Sequence, residues 1–378
     1  MAPAGFDPRA LARLRSAFAQ RVEASRIPGA AWLLGRAASP EIVDCVGWLD
    51  AARTVALRED AIFRIHSMTK PIVSVAALAL FEQGRLRLAD PVARHLPEFA
   101  EVRVGIEATV PARPMLLHDL LRHTAGLTYE FLPQDPVRQC YVDADLASRR
   151  RSNAEFAARL AGLPLMVSPG TRWEYSRATD LLGRVLEAIS GEPLGTVLRK
   201  IVFEPLDMPD TGFFVSANRA GRAAQAFMTD PDTGAAVTLF DPTEQPRFES
   251  GGGGLLSTLG DYGRFVRCLV GGGSLDGVRL LGRKTIEWMA SDHLGAIGHD
   301  GTILPPGYGF GLGVAVRTAA GLAGDPGSVG SYGWSGKAGC VFVVDPAERL
   351  HAVLMVQAPG QAVEVWDLFR SLVYAALD

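Results

Sequence analysis

Strand-like segments occur at both ends of the chain, whereas the long middle part carries mostly helical patterns. Apolar runs bounded by turn residues predict six strands, at 30–34, 42–48, 61–65, 310–316, 340–344 and 350–356. One antiparallel sheet that receives strands from both chain ends accounts for this order, with a helical region inserted between them. The predicted fold class is therefore α+β.

Each chain end also carries an amphipathic helix that can cover the sheet. Asp7 is suited to cap the first helix, and Pro8 suits its first position. Apolar side chains recur with helical spacing again at 363–377. We therefore expect a discontinuous α/β unit of residues 1–80 and 241–378. A mainly helical region of residues 81–240 would complete the active-site cleft.

The middle of the chain shows three helical patterns, at 119–123, 154–163 and 180–189. Between them, the stretches 132–143 and 229–250 are rich in Asp, Pro, Thr and Gly and are predicted to be irregular. Long irregular segments often carry function. We expect these two to shape a pocket.

Charge and composition exclude several classes of protein. The 378 residues include 38 Lys and Arg against 41 Asp and Glu, a net charge of −3. This balance gives no electrostatic footprint for nucleic acid or for an anionic membrane. No run approaches the roughly 20 apolar residues of a membrane span, and the N-terminal segment lacks the pattern of a signal peptide. A cytoplasmic protein with no nucleic-acid or membrane partner is predicted.

The sequence offers no conventional metal or nucleotide motif. It contains no His-Glu-x-x-His, no Gly-x-Gly-x-x-Gly and no phosphate-binding loop, so we expect neither a metal nor an organic cofactor. The four cysteines are far apart and form no Cys-x-x-Cys pair, which predicts buried reduced thiols. The Gly-x-Ser-x-Gly motif of α/β-hydrolases is also absent.

A Ser-x-x-Lys motif, Ser67 to Lys70, lies between a predicted strand and a predicted helix. Three residues make nearly one helical turn, so the hydroxyl and the amine can face each other. A serine is a weak nucleophile until a neighbouring base accepts its proton, and a desolvated lysine can do this. The chain has only four lysines, which makes a chance match uncommon.

Two further segments can complete such a site. Tyr175 lies in a loop just before a helix, where a tyrosine can transfer protons. The segment 333–337, Gly-Trp-Ser-Gly-Lys, precedes a strand, and its small residues would let a backbone N–H reach a substrate oxygen. Taken alone, the tyrosine also fits a packing role and the segment a plain turn.

Together these motifs resemble the serine β-lactamase-like superfamily. Ser67-Met68-Thr69-Lys70-Pro71 is followed in order by the segments 84–97, 120–127, 175–176, 251–262 and 333–339, so the resemblance spans about residues 30–377. Within that superfamily the chain is most similar to the family VIII carboxylesterases, relatives of the class C β-lactamases that mostly cleave short-chain esters.

The resemblance implies a role for each matching residue. Ser67 would be the acylated nucleophile, Lys70 its hydrogen-bonded partner and Tyr175 the general base and acid. The backbone N–H groups of Ser67 and Lys337 would form the oxyanion hole, with the Lys337 side chain facing solvent. Trp334 occupies the position at which β-lactamases carry the lysine of Lys-Thr-Gly, and tryptophan there is the esterase pattern.

Further residues are expected at the substrate, and five are predicted to bind it: Tyr129, Arg177, Trp334, Ser335 and Gly336. Tyr129 would line the acyl pocket. Arg177 stands at the third position of Tyr-x-Asn, where it could bind an acidic substrate or lower the pKa of Tyr175, or simply be solvated. His66 is expected to pack, and Asp180 to cap or anchor its helix.

The resulting hypothesis is a serine carboxylesterase that hydrolyses short-chain esters through an acyl-enzyme on Ser67, with a small-molecule ester as partner. Alternatives on the same scaffold are a β-lactamase active on cephalosporins, a peptidase acting on D-amino-acid peptides, and an acyltransferase. A non-catalytic binding protein is disfavoured because all three catalytic side chains are present. Neither the physiological substrate nor the oligomeric state follows from the sequence.

Overall fold

A computed structural model describes residues 5–36, 39–111, 113–299, 301 and 303–378. In these residues the α-helices are α1 (Pro8–Glu23), α2 (Thr69–Glu82), α3 (Leu117–Leu121), α4 (Pro136–Asp143), α5 (Asn153–Ala161), α6 (Ala178–Ser190), α7 (Leu194–Leu198), α8 (Leu259–Val270), α9 (Arg283–Met289) and α10 (Ala362–Tyr374). Short 3₁₀ helices span His66–Met68, Val92–Arg94, Pro97–Phe99, Ala217–Arg222 and Pro359–Gln361, and a π-helical turn spans Arg199–Phe203.

The strands are β1 (Gly29–Arg36), β2 (Ile42–Gly47), β3 (Ile62–Arg64), β4 (Leu256–Thr258), β5 (Ser274–Leu275), β6 (Val278–Arg279), β7 (Tyr308–Phe310), β8 (Ala315–Arg317), β9 (Tyr332–Ser335), β10 (Val341–Asp345) and β11 (Leu350–Val356). Seven of them form one antiparallel sheet in the order β2-β1-β11-β10-β9-β8-β7. The central pair joins the two chain ends, since β1 and β11 align from Ala30–Val356 to Arg36–Leu350. The prediction of an α+β fold with a sheet built from both chain ends is confirmed.

The two faces of this sheet are covered by different helices. One face packs against α1 and α10, where Phe18, Trp32 and Phe369 form a buried aromatic group. The other face packs against α2 and α8 and continues into the main core. Successive strand residues therefore alternate between two cores, which explains why the central strands are apolar throughout.

Helix α2 lies at the centre of the main core. Twelve of its residues are buried, and a helix that is apolar all round is stable only when protein surrounds it. Helices α6 and α7 pack against α2, and α3 and α5 pack in turn against α6. The proposed division into two units at residues 80 and 240 stays a prediction. Its first boundary falls inside α2.

Two local predictions are wrong. The stretch 132–143 contains the helix α4, because Asp135 accepts hydrogen bonds from Val137 N and Arg138 N and Pro136 occupies the first turn. The predicted strand 310–316 is the hairpin β7–β8. Its turn runs through Gly313, whose φ of +90° favours glycine.

Two other features of the described residues concern the cysteines and the length of the apolar helices. All four cysteines are free thiols; Cys268 and Cys340 are buried as predicted, whereas Cys45 and Cys140 are partly exposed, so the prediction of burial is wrong for these two. No helix in the described parts of the chain combines the length and the apolar character that crossing a bilayer requires.

Candidate active site

Ser67 and Lys70 lie in adjoining helical turns. Ser67 belongs to the 3₁₀ helix His66–Met68 that leads from β3 into α2, and Lys70 lies in the first turn of α2. Lys70 Nζ is 3.2 Å from Ser67 Oγ, as the three-residue spacing predicts. The lysine is fully buried and also contacts the carbonyl oxygen of Gly252 at 2.6 Å and Tyr129 Oη at 3.1 Å.

The turn that carries Ser67 is tied to β4 and α8. Ile65 N donates to Leu255 O, and Leu255 N donates back to the Thr69 hydroxyl. Tyr262 Oη donates to Met68 O at 3.0 Å. These bonds on both sides of Ser67 fix the nucleophile relative to the sheet domain, which a reactive serine requires.

Tyr175 completes a hydrogen-bonded group with the serine. Its hydroxyl donates to Ser67 Oγ at 2.7 Å, and the indole N–H of Trp334 points to the same phenol oxygen at 3.4 Å. Ser67 Oγ thus lies between an amine and a phenol. The three predicted catalytic side chains meet at one place, although they come from sequence positions 108 residues apart.

The loop that carries Tyr175 is held by the block around His123. Glu174 N donates to His123 O at 2.8 Å, and His123 Nδ1 lies 3.1 Å from the Ser176 hydroxyl. The imidazole packs against the Tyr175 ring with 5.0 Å between centroids. Burial, with the charge of Lys70, holds the pKa of His123 well below its usual value, so the ring is neutral. His123 therefore supports Tyr175 by packing.

The predicted oxyanion hole lies where β9 ends against the serine turn. Neither Ser67 N–H nor Lys337 N–H donates to an acceptor in the described turns and loops. Gly336 touches the backbone before Ser67 so closely that a Cβ there would lie 2.3 Å from Ile65 O. The side chain of Lys337 is exposed. An oxyanion hole needs two such donors beside the nucleophile, and the assignment of these two N–H groups stays a prediction.

Trp334 and Ser335 form the end of β9 beside the site. Trp334 is buried and packs edge-on against Phe310, with 5.2 Å between centroids, and its ring also lies 5.4 Å from that of Tyr175. Ser335 is half-buried. The predicted substrate-binding role of both residues stays a prediction.

Arg177 is a buried ion-pair residue, and the alternative that it is solvated is wrong. Only 8% of it is exposed, and its guanidinium contacts Glu130 and the Asp180 carboxylate, the latter at 3.3 Å. Both carboxylates already neutralise it, which weakens its prediction as a binding group for an acidic substrate. It also lies over the ring of Tyr129, 5.0 Å from the centroid.

Tyr129 lies behind Lys70 instead of forming an open wall of the cleft. It is 5% exposed, and its hydroxyl is bonded to the lysine amine. Burial, together with the Asp180 carboxylate, holds the pKa of Tyr129 well above its usual value, so it stays a neutral phenol. Its ring stacks on Phe131, which is 63% exposed and extends the aromatic surface outward.

His66 is poorly suited to act as a base. Burial, followed by the charges of Lys337 and Arg64, lowers its pKa to about 3. The ring packs edge-on against Phe240 with 5.7 Å between centroids, and no hydrogen bond in the described part of the chain joins it to Ser67. This agrees with the expectation that His66 packs.

Several functional neighbours are not marked by the sequence. Glu130 and Phe131 follow Tyr129 directly, yet nothing in their spacing distinguishes them. The sequence predicts only a helix-anchoring role for Asp180, whereas it also binds the glycine run through Gly252 N at 2.9 Å. Four consecutive glycines were the available signal for this close approach. In the described residues no group of three or more His, Cys, Asp or Glu side chains could hold a metal ion.

Comparisons with known proteins identify the family and the fold. The family model described as Beta-lactamase matches residues 14–375. Protein Rv1367c of Mycobacterium tuberculosis is 36% identical over 332 residues, covering 83% of this chain and 82% of that protein. Esterase EstB of Burkholderia gladioli is 31% identical and covers 99% of this chain and 100% of its own length. Among solved structures, EstCE1, a hydrolase with promiscuous acyltransferase activity, matches with a TM-score of 0.81 and 25% identity over 97% of this chain and 99% of that one.

Proposed function

The chain belongs to the Beta-lactamase family, and from this premise we propose that it is a serine carboxylesterase. It would hydrolyse short-chain esters through an acyl-enzyme on Ser67. The observation that carries the proposal is the position of Ser67 Oγ between Lys70 Nζ at 3.2 Å and Tyr175 Oη at 2.7 Å. The similarity to Esterase EstB supports the same class of reaction.

Acylation follows from these contacts. Ser67 Oγ attacks the ester carbonyl carbon while its proton passes to the pair formed by Lys70 and Tyr175. The N–H groups of Ser67 and Lys337 stabilise the negative charge on the carbonyl oxygen. When this intermediate collapses, the C–O bond of the ester breaks and Tyr175 returns a proton to the leaving alcohol.

Deacylation repeats the sequence with water as the nucleophile. The same pair takes a proton from water as its oxygen attacks the acyl carbon. Ser67 then leaves and regains its proton. A base that serves both acylation and deacylation must lie within hydrogen-bonding distance of the serine hydroxyl. Tyr175 meets that condition.

An acyltransferase is the second candidate function. It differs only in the group that attacks the acyl-enzyme, an alcohol in place of water. EstCE1, the structural relative, is a hydrolase that also has acyltransferase activity, so one scaffold of this kind supports both reactions. The two reactions are therefore measured together, as released acid and as newly formed ester when an alcohol is added.

A β-lactamase activity would at most be secondary. Trp334 fills the position of the cation that would pair with a β-lactam carboxylate, and its indole is turned to Tyr175. We expect turnover of a chromogenic cephalosporin to be far slower than ester hydrolysis. Comparable efficiencies on the two substrates would move the assignment to β-lactamase.

The test is hydrolysis of p-nitrophenyl butyrate by the wild type, Ser67→Ala and Tyr175→Phe. Ser67→Ala should lower kcat by roughly 10⁴-fold or more. Tyr175→Phe should lower it by about 10²- to 10⁴-fold. Circular dichroism and thermal melting check that each variant is folded, and Ser371→Ala, an exposed serine on α10, is the matched control. Equal activity of the wild type and Ser67→Ala would refute the nucleophile.

A further inference from the structure

We propose that Asp180 is a positioning residue for the nucleophile, an inference that rests on the proposed function. Asp180 does not touch Ser67, Lys70 or Tyr175. It holds the backbone of Gly252, and the carbonyl oxygen of Gly252 in turn aims the amine of Lys70 at Ser67.

The Asp180 carboxylate is committed to this one segment. It is fully buried in the first turn of α6. Its Oδ1 accepts hydrogen bonds from Gly252 N at 2.9 Å and from the Ser250 hydroxyl. Its Oδ2 pairs with Arg177 at 3.3 Å, and Arg177 is itself held by Glu130. The Arg177 guanidinium beside it offsets the cost of burying a carboxylate, and charge-assisted hydrogen bonds are stronger than neutral ones.

The glycine run allows this contact. A Cβ on Gly252 would lie 2.6 Å from Asp180 Oδ2 and 2.9 Å from Tyr129 Oη. A Cβ on Gly251 would lie 2.6 Å from Thr179 O, in the first turn of α6. All three distances are shorter than real Cβ contacts. Glycine at 251 and 252 therefore lets the backbone pack against α6 while the carbonyl oxygen of Gly252 contacts Lys70.

Three contacts set the orientation of the Lys70 amine. Gly252 O at 2.6 Å and Tyr129 Oη at 3.1 Å take two N–H groups of the amine. The third tetrahedral position faces Ser67 Oγ. For the amine to accept the serine proton, its nitrogen must present this third position to Ser67 Oγ, and the other two contacts fix that orientation. If Gly252 moves, the amine loses its shortest contact and turns.

A merely structural role for Asp180 makes a different prediction. An acidic residue in the first turn of a helix stabilises the helix dipole wherever it lies. Asp261 offers a matched comparison, because it also lies buried in the first turn of a helix, α8, and accepts a bond from Asp210 N at 2.8 Å. It does not contact the glycine run or Lys70 in the described residues.

The experiment measures the reactivity of Ser67 directly. Diethyl p-nitrophenyl phosphate is added to the full chain, and Ser67 Oγ attacks phosphorus, displacing p-nitrophenolate and losing its proton to the Lys70–Tyr175 pair. Mass spectrometry follows the rate of modification from pH 5 to 10. We expect Asp180→Ala to slow it about 30-fold and to displace its pH profile. Asp180→Asn, which keeps an oxygen for Gly252 N–H, should recover most of the rate.

Asp261→Ala should lower stability while leaving the rate and pH profile of Ser67 modification within about threefold of wild type. Should Asp180→Ala fail to fold, Asp180→Glu keeps the charge but pushes its extra methylene against Gly252, and it should still be slowed about tenfold. Wild-type rates and pH profiles in Asp180→Ala, or in Asp180→Glu if it is the one that folds, would overturn the proposal. A wild type that is modified at Ser67 but cleaves no ester would refute the proposed function alone.

Discussion

Gly336 lies so close to the backbone before Ser67 that the candidate site has no room for a side chain at this position. A Cβ at this position would lie 2.3 Å from Ile65 O, which is backbone and cannot swing away. We predict that Gly336→Ala costs about 1–3 kcal/mol of unfolding free energy, as overpacking does. The shift of Lys337 N from Ser67 should lower kcat roughly 100-fold.

Gly221→Ala is the control for this prediction, because nothing lies within 4 Å of a Cβ at Gly221. Both variants are compared by urea denaturation and by ester hydrolysis. A Gly336→Ala enzyme with wild-type kcat would contradict the idea that the end of β9 supplies the second oxyanion donor.

Phe131 is an exposed aromatic residue beside the candidate active site. It is 63% exposed and stacks on Tyr129, whose hydroxyl binds Lys70. We predict that Phe131→Ala raises KM for p-nitrophenyl octanoate about five- to tenfold, the worth of roughly 1–1.5 kcal/mol of apolar contact. KM for the acetate should change little, since a two-carbon acyl chain is too short to reach that ring.

Phe214→Ala is the matched variant, since Phe214 is 42% exposed and makes no aromatic contact in the described residues. Its KM values should follow the wild type for both esters. If Phe131→Ala affects acetate and octanoate alike, Phe131 does not select for chain length.

The meeting of the three proposed catalytic residues was predictable because their chemistry is local or their types are rare. Ser67 and Lys70 are one helical turn apart, so their spacing alone brings them together. The partners of Arg177 were not predictable in this way. Glu130 lies 47 residues earlier, and the contact exists only because α6 and the loop after α3 pack against each other.

Whole elements were predictable where amphipathic spacing and capping agree. Asp7 and Pro8 predict where α1 begins, and the apolar positions predict the face that it buries. In α4 the same capping chemistry, Asp135 and Pro136, resembles turn composition in the sequence because few apolar residues follow it. The hairpin β7–β8 was not predictable because the positive φ of Gly313 is a property of the fold, visible in sequence only as one of many glycines.

Helix α10 covers one face of the sheet together with α1, and we expect its buried side chains to contribute to stability. Phe369 is buried against Phe18 of α1, with 6.4 Å between the ring centroids. We predict that Phe369→Ala lowers the free energy of unfolding by about 3–5 kcal/mol. Val363→Ala, on the same helix but 64% exposed, should change it by less than about 0.5 kcal/mol.

The candidate active site and this helix belong to the separate cores on the two faces of the sheet, so folded Phe369→Ala should keep the wild-type KM for p-nitrophenyl butyrate. Denaturation by urea gives the stability and initial rates give KM. A large rise in KM with little loss of stability would mean that α10 acts on the site and not on the core.

At the scale of the molecule, the N-terminal and C-terminal segments pack against each other. Asp7 N donates to Ala376 O at 2.9 Å, and β1 lies beside β11. The order of elements along the sequence indicated such a closure, since strand patterns lie at both ends and helical patterns lie between them. How the inserted helices pack onto the sheet was not implied, because that depends on side-chain shape in a core shared by α2 and its neighbours.

Buried histidines give the whole protein a predictable response to acid. Burial is the first cause that lowers the pKa of His66 to about 3 and of His118 to about 4, and it also holds the pKa of His123 well below its usual value. In the unfolded chain each should titrate near about 6.5. Between about pH 6.5 and pH 4 the unfolded state therefore binds protons that the folded state refuses, so stability falls as the pH falls.

We expect the unfolded chain to take up roughly two to three more protons than the folded one at pH 5 from these residues. The slope of unfolding free energy against pH, from urea denaturation at several pH values, measures this number. His66→Gln should lower it by about one proton, because the amide does not titrate. An unchanged slope in His66→Gln would mean that His66 titrates normally in the folded protein, which its burial beside Lys337 and Arg64 argues against.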